Sequence, residues 1–139
     1  MRRRVLIDTS AWILALRKGA REEHRAVVDR LIADGLAATT GPVVAELLGG
    51  TKTRREFGEL AAGLSALPRL DPQPPIWDKV AEFAFQLRRK GISVPMVDVL
   101  IMTVAWENGC GLLHADRHFD LIAEGGVGLE RVTIESLLV

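Results

Sequence analysis

The 139-residue chain is 48% hydrophobic and 26% charged, which excludes a disordered polymer and suits one globular domain over residues 1–139 with a real core. Eighteen Lys and Arg balance eighteen Asp and Glu, so net charge alone argues neither for nor against a nucleic-acid partner. The single Cys110 rules out an intramolecular disulfide and fits a reducing compartment.

The start, "MRRRVLIDTSAWILAL", imitates a secretory leader, but Asp8 interrupts its apolar stretch and charged "RKGAREEHR" follows where a cleavage site would stand. No apolar run approaches the roughly 18 residues of a membrane span. A cytoplasmic protein with no membrane association is the expectation.

"RVLI" (4–7) reads as a buried strand, followed at once by a helix "TSAWILALRKG" that Gly19 closes. "REEHRAVVDRLIADG" spaces Val27, Val28, Leu31 and Ile32 as a helix, with Gly35 just past its end. "LAATT" (36–40) predicts a second strand, and "GPVVAELLGG" a short helix with Pro42 in its first turn. A more polar helix over 53–66, a short strand at "PRLD" and a loop at "PQPP" come next. "IWDKVAEFAFQLRRKG" carries Ile76, Val80, Phe83 and Leu87 on one helical face. The almost wholly apolar "VDVLIMTVAWENG" predicts a buried helix. A strand "GLLHA" (111–115), a short helix through "FDLIAEGG" and a last strand near "LERVT" complete the pattern.

Strands alternating with helices argue for an α/β fold whose central parallel sheet is covered on both faces, and such sheets bind ligands beyond the carboxyl ends of their strands. Four acids fall in that region. Asp8 directly follows the first strand, Asp116 follows "GLLHA", Glu46 sits in the short helix after the second strand, and Asp98 opens the helix after "GISVP". Asp8 and Asp116 are also well suited to cap the helices they precede, and Glu46 to face solvent. Asp98 is the exception. A carboxylate on a helix apolar nearly all round costs several kcal/mol unless it is paired or protonated. A helix macrodipole supplies only about 0.3–1 kcal/mol, and no Lys or Arg lies within a turn on the same helix.

Four carboxylates converging on one cleft repel one another unless positive charge enters. Hard oxygen donors suit Mg²⁺ or Mn²⁺. Cys110 and the scattered histidines form no closed zinc site, and His114 and His118 straddle a strand-to-helix junction, which argues against their acting as a metal-binding pair. Divalent ions held by carboxylates suit phosphodiester hydrolysis. They also make a formally neutral chain cationic towards a phosphate backbone. Basic clusters at 2–4, 17–18, 52–55 and 88–90 are either solvated helix ends or a rim around such a site.

"VLIDTS", the isolated Glu of "VVAELL", "VDVLIMTVA" and "LLHADRHFDLIA" together resemble the PIN-domain ribonucleases, specifically the VapC-type toxins of bacterial toxin–antitoxin pairs. The resemblance runs along nearly the whole chain, in order. It implies a three-layer α/β/α sandwich and a Mg²⁺- or Mn²⁺-dependent endoribonuclease acting on RNA such as tRNA. It further implies a small cognate antitoxin and a homodimer. Asp8, Glu46, Asp98 and Asp116 match the family's acidic quartet, which holds metal and is catalytic, and Ser10 matches a supporting hydroxyl. His114 departs from the pattern, because many relatives carry Ser or Thr two residues before the last acid; Asp120 is either a fifth acid or an exposed helix residue. Phe57, Leu60 and Leu64, with Trp12 and Leu16, either join the core or line a groove for a partner helix.

Two other function classes use acids in these places. A phosphatase of the haloacid-dehalogenase type needs Asp-x-Asp after the first strand, whereas the run here is Asp8-Thr9-Ser10, and a receiver domain needs a late Lys that is missing from "LLHADRHF" and "LERVTI". A non-catalytic RNA-binding module has little physical reason to keep mutually repelling carboxylates together.

Overall fold

The computed structural model describes residues 2–138. Its four strands, β1 (Val5–Ile7), β2 (Ala37–Ala38), β3 (Gly111–His114) and β4 (Ile134–Ser136), form one parallel sheet in the order β2-β1-β3-β4. Among the described residues seven helices accompany them: α1 (Thr9–Leu16), α2 (Glu22–Ala33), α3 (Gly41–Gly49), α4 (Arg54–Ser65), α5 (Ile76–Arg89), α6 (Met96–Asn108) and α7 (Arg117–Gly125). The architecture is the expected α/β/α sandwich around a parallel sheet.

From β1 the chain goes to β2 on one side and later to β3 on the other, so the crevice between β1 and β3 is the sheet's topological switch point. Register puts Ile7 opposite Leu113, and Asp8 N–H donates to Leu113 O at 2.9 Å. The first residue beyond β1 is thereby held beside the end of β3.

The core is mostly aliphatic, with Trp12, Phe83 and Phe119 also buried in it. Leu6, Ile7, Leu112 and Leu113 of the two central strands pack with Val99, Ile101, Met102, Val104 and Ala105 of α6, all buried. Each large side chain among them contributes about 1.5–3 kcal/mol relative to exposure. Several such residues on α6 outweigh one costly carboxylate, so α6 stays buried with Asp98 in its first turn. Gly109, at φ 63°, ends the helix in the left-handed conformation that glycine adopts without a Cβ penalty.

Some boundaries differ from expectation. The second strand is two residues long rather than five, and "PRLD" contributes only one bridge, Arg69 to Thr39. The last strand begins at Ile134, beyond "LERVT", because Arg131 N–H and Val132 N–H turn back to Gly128 O. α7 begins at Arg117 rather than Phe119, because the Asp116 side chain accepts from His118 N–H and starts the helix two residues early. Among the described residues no helix is long and apolar enough to cross a membrane.

Candidate active site

The carboxyl ends of β1 and β3, the first turn of α6 and the first turn of α7 meet at one edge of the sheet. Each contributes a side chain for a local reason. Asp8 caps α1, its Oδ2 accepting from Ser10 N–H at 2.9 Å and from Ser10 Oγ. Asp116 caps α7 through Oδ1 at 2.9 Å from His118 N. Capping and convergence on the acidic edge therefore coexist, and Asp8 and Asp116 each perform both.

Asp8 is only 4% exposed and Asp98 only 8%. Burial pushes the Asp8 carboxyl above its ordinary value, the charge of Asp116 adds to the rise, and hydrogen bonds from Ser10 and Thr9 oppose it. Asp98 is pushed up to about 6, first by burial and then by the charges of Asp8 and Asp116, with His118 pulling the other way. The apolar helix thus carries a carboxylate under strong electrostatic pressure from two neighbours on other elements.

His118 is the partner that the sequence reading missed. Its Nδ1 lies 3.0 Å from Asp98 Oδ2 and 3.3 Å from Asp116 Oδ1. A signal for it was present. With Asp116 as the cap, residue 118 falls in the first turn of α7, on the acidic edge; a helix starting at Phe119 leaves it in a loop.

Glu46 is joined to this edge through Thr9, the neighbour of Asp8. It is exposed on α3 and accepts a 3.0 Å hydrogen bond from Thr9 Oγ1, a contact the sequence reading also missed although Thr9 adjoins Asp8. The donors within 4.8 Å of one another belong to Asp98, Asp116 and His118. Asp120 is half exposed, with Oδ1 3.6 Å from His114 Nε2.

Ser10 joins the two strand ends. Its hydroxyl donates to Asp8 Oδ2 while accepting from Ala115 N–H at 2.9 Å. Ser10→Ala leaves that N–H without its partner and removes a bond that favours the charged form of Asp8. We expect a loss of about 1–3 kcal/mol in chemical denaturation and a loss of about 10–100-fold in divalent-ion affinity by calorimetry, both recovered in Ser10→Thr. Unchanged values in Ser10→Ala would remove its supporting role.

His114 is 1% exposed, and burial holds its imidazole below the usual histidine range. Its Nδ1 accepts from Asp116 N–H at 3.1 Å, so the ring proton of the neutral form sits on Nε2. The ring leans against Phe119 with 5.2 Å between centroids. A ring nitrogen thus accepts from the Asp116 amide and holds the backbone that carries this acid.

The basic cluster at 2–4 does not rim this edge. It precedes β1, at the opposite end of the strand from Asp8, where Arg2 pairs with Asp34 at 3.1 Å and Arg3 Nε donates to Gly109 O at 2.9 Å. On another flank Trp12, Ile13, Leu16, Leu47 and Leu60 line an open depression of about 440 Å³ with Glu46 and Arg17 at its margin. Trp12 is buried and Leu16 exposed, so the residues expected in either core or groove divide between them.

The donor set fits a divalent metal. Buried and half-buried carboxylate oxygens from separate elements crowd together with a deficit of positive charge, and Asp98 bears the cost in its raised pKa.

Comparison with known proteins gives the family and the fold. The PIN domain family matches residues 5–125. VapC ribonuclease Mb1587 of Mycobacterium bovis and ribonuclease VapC11 of Mycobacterium tuberculosis are each 33% identical over 124 residues, covering 86% of this chain and 91% of the relative. The fold is similar to that of FitAcB from Neisseria gonorrhoeae, with a TM-score of 0.71, 18% identity and coverage of 96% and 98% of the two chains. It is also similar to that of DNA-bound VapBC from Salmonella typhimurium, with a TM-score of 0.73, 20% identity and coverage of 98% and 99%. The match begins in β1, ends with α7 and takes in every side chain of the acidic edge: this chain belongs to the PIN-domain family.

Proposed function

We propose that this protein is a metal-dependent endoribonuclease, the toxin of a toxin–antitoxin pair acting in the cytoplasm, and that Asp8, Glu46, Asp98 and Asp116 form its hydrolytic edge with Mg²⁺ or Mn²⁺. The observation that carries the reading is Asp98: a carboxyl buried on an apolar helix and raised to about 6 by burial and by Asp8 and Asp116. Family membership and two relatives named as ribonucleases supply the reaction class.

When bound, a divalent cation supplies a water of lowered pKa and stabilises charge on the phosphoryl oxygens. The chain's own groups hold and orient. Asp98 and Asp116 present oxygens from two helices, and Asp8 adds a third beside them. Thr9 fixes one oxygen of Glu46, while Ser10 and His114 tether the backbone that carries Asp116. The aliphatic core behind Asp98 keeps water from its inner side.

The apolar depression bordered by Glu46 suits an amphipathic helix of a small antitoxin, which would cover one margin of the acidic edge. A structural neighbour from Mycobacterium tuberculosis, VapBC-5, is described as a member of the VapBC family of toxin–antitoxin systems, which supports that partner. Trp77 and Phe85, both exposed on α5, offer apolar area for a second copy in a homodimer.

The test incubates purified protein with total RNA in Mg²⁺, in Mn²⁺ and in EDTA, beside Asp98→Asn. Cleavage in either metal, absent in EDTA and in the variant, is the expected result. Equal cutting by wild type and variant would sink the reading. Turnover of small phosphomonoesters with intact RNA would replace it with a phosphatase.

A further inference from the structure

His118 is placed where no solvated surface histidine needs to be. Its Nδ1 faces carboxylate oxygens of two helices at once, Asp98 Oδ2 at 3.0 Å from α6 and Asp116 Oδ1 at 3.3 Å from α7. One imidazole N–H can make one good hydrogen bond, so the ring faces more acceptor oxygens than its single proton can satisfy. The backbone N–H of the same residue is bound to that same Asp116 oxygen at 2.9 Å, which fixes the first turn of α7 and the origin of the side chain.

The spacing has another reading. Two donors at adjacent corners of an octahedron with arms of about 2.1 Å stand about 3.0 Å apart. The two distances from the imidazole nitrogen are close to that separation, short enough for it to share a cation with the carboxylates. All three donor atoms lie within 4.8 Å of one another. His118 keeps 30% of its side chain in solvent, which leaves the ring room to shift as an ion enters.

We propose that His118 is a nitrogen ligand of the metal centre, together with Asp98 and Asp116, and that it makes the site selective for Mn²⁺ over Mg²⁺. Mg²⁺ takes hard oxygen donors and gives up its waters reluctantly. A transition-metal ion accepts imidazole more readily, and Mn²⁺ is the one whose taste for carboxylates overlaps with that of Mg²⁺. Two carboxylates with one imidazole therefore retain Mn²⁺ and lose part of their hold on Mg²⁺. The inference rests on the ribonuclease reading for the presence of a metal centre, and adds which nitrogen binds it and which ion it prefers.

The experiment uses the full chain stripped with chelator, with metal ions alone as probes. Binding of Mn²⁺ is followed by loss of the free-ion electron paramagnetic resonance signal, Mg²⁺ by competition, and bound Mn²⁺ is examined by pulsed resonance for coupling to a directly coordinated ¹⁴N. Wild type is expected to show an imidazole coupling that disappears in His118→Gln. The Mn²⁺-to-Mg²⁺ affinity ratio should fall by about tenfold or more in that variant and in His118→Asp, with Mg²⁺ binding retained or improved in His118→Asp. Circular dichroism and thermal unfolding in EDTA verify that both variants fold.

Absence of nitrogen coupling in Mn²⁺-loaded wild type overturns the proposal, as does a coupling that persists in His118→Gln or an unchanged affinity ratio. If RNA is still cut in a metal-dependent way, those results remove His118 from the centre and leave the ribonuclease reading standing. Failure of wild type to take up Mn²⁺ or Mg²⁺ at millimolar levels, with no RNA cleavage, overturns both.

Discussion

Replacing Asp98 with Asn is expected to reduce RNA cleavage by more than about a hundredfold while making the ion-free protein more stable. The two effects share one cause. Asp98 sits at the head of a helix whose next seven residues, Val99 to Ala105, are all buried, and burial is the largest contribution to its raised pKa. Held at about 6 rather than at its ordinary 3.8, it costs the folded ion-free protein on the order of 3 kcal/mol at neutral pH. Asn keeps the shape and an oxygen that can accept from the Nδ1–H of His118, but it carries no charge to desolvate and none to set against Asp8 and Asp116. In EDTA the melting temperature of Asp98→Asn should exceed that of wild type by several degrees, at roughly 4 °C per kcal/mol. Added metal should narrow the gap, because only wild type gains fully from the ion. A variant that melts below wild type in EDTA, or that still cuts RNA at the wild-type rate, contradicts the account of Asp98 given above.

The second large effect is on pH. The unfolded chain releases the Asp98 proton near 3.8, while the folded ion-free protein keeps it until about 6. Between those values the folded state binds more protons, so stability falls as pH rises. The favourable contribution is complete below about 3.8 and gone above about 6. Asp8, also raised, acts with the same sign. His114 opposes them: burial holds its imidazole below the ordinary 6.5, so the folded state loses stability as pH drops below that value. The measurement that isolates Asp98 is the difference between wild type and Asp98→Asn, by urea denaturation in EDTA from pH 4 to pH 8. Relative to the variant, wild type should lose on the order of 3 kcal/mol across the window, and saturating divalent metal should suppress much of that loss. A flat difference curve would mean that Asp98 is not under the pressure its surroundings imply.

Periodicity and punctuation in the chain were enough to read most of the fold. Aliphatic runs as short as "VLI" and "GLLH" alternate with helical spacings, and a two-residue slip in such a pattern alters a boundary without altering a layer. The final strand was the weakest reading, because Gly128 is followed by a turn whose hydrogen bonds occupy the residues that looked most strand-like. The second strand was overestimated for a related reason. Thr39 and Thr40 are buried like strand residues, but beyond Ala38 the ladder continues, among the described residues, through a single bridge between Thr39 and Arg69.

By itself the sequence determined that Asp98 needed an opposite charge or a proton, since the mean environment of a residue follows from its neighbours along a helix. It also determined that Asp8 and Asp116 would leave the carboxyl ends of strands, because strand and acid are adjacent in the chain. Only the tertiary structure decided which groups answer Asp98. His118 lies 20 residues away and reaches it at 3.0 Å, and Ser10 meets the Ala115 amide across 105 residues. Such contacts depend on strand order, register and the turn at which a cap starts a helix, and local spacing encodes none of these distances.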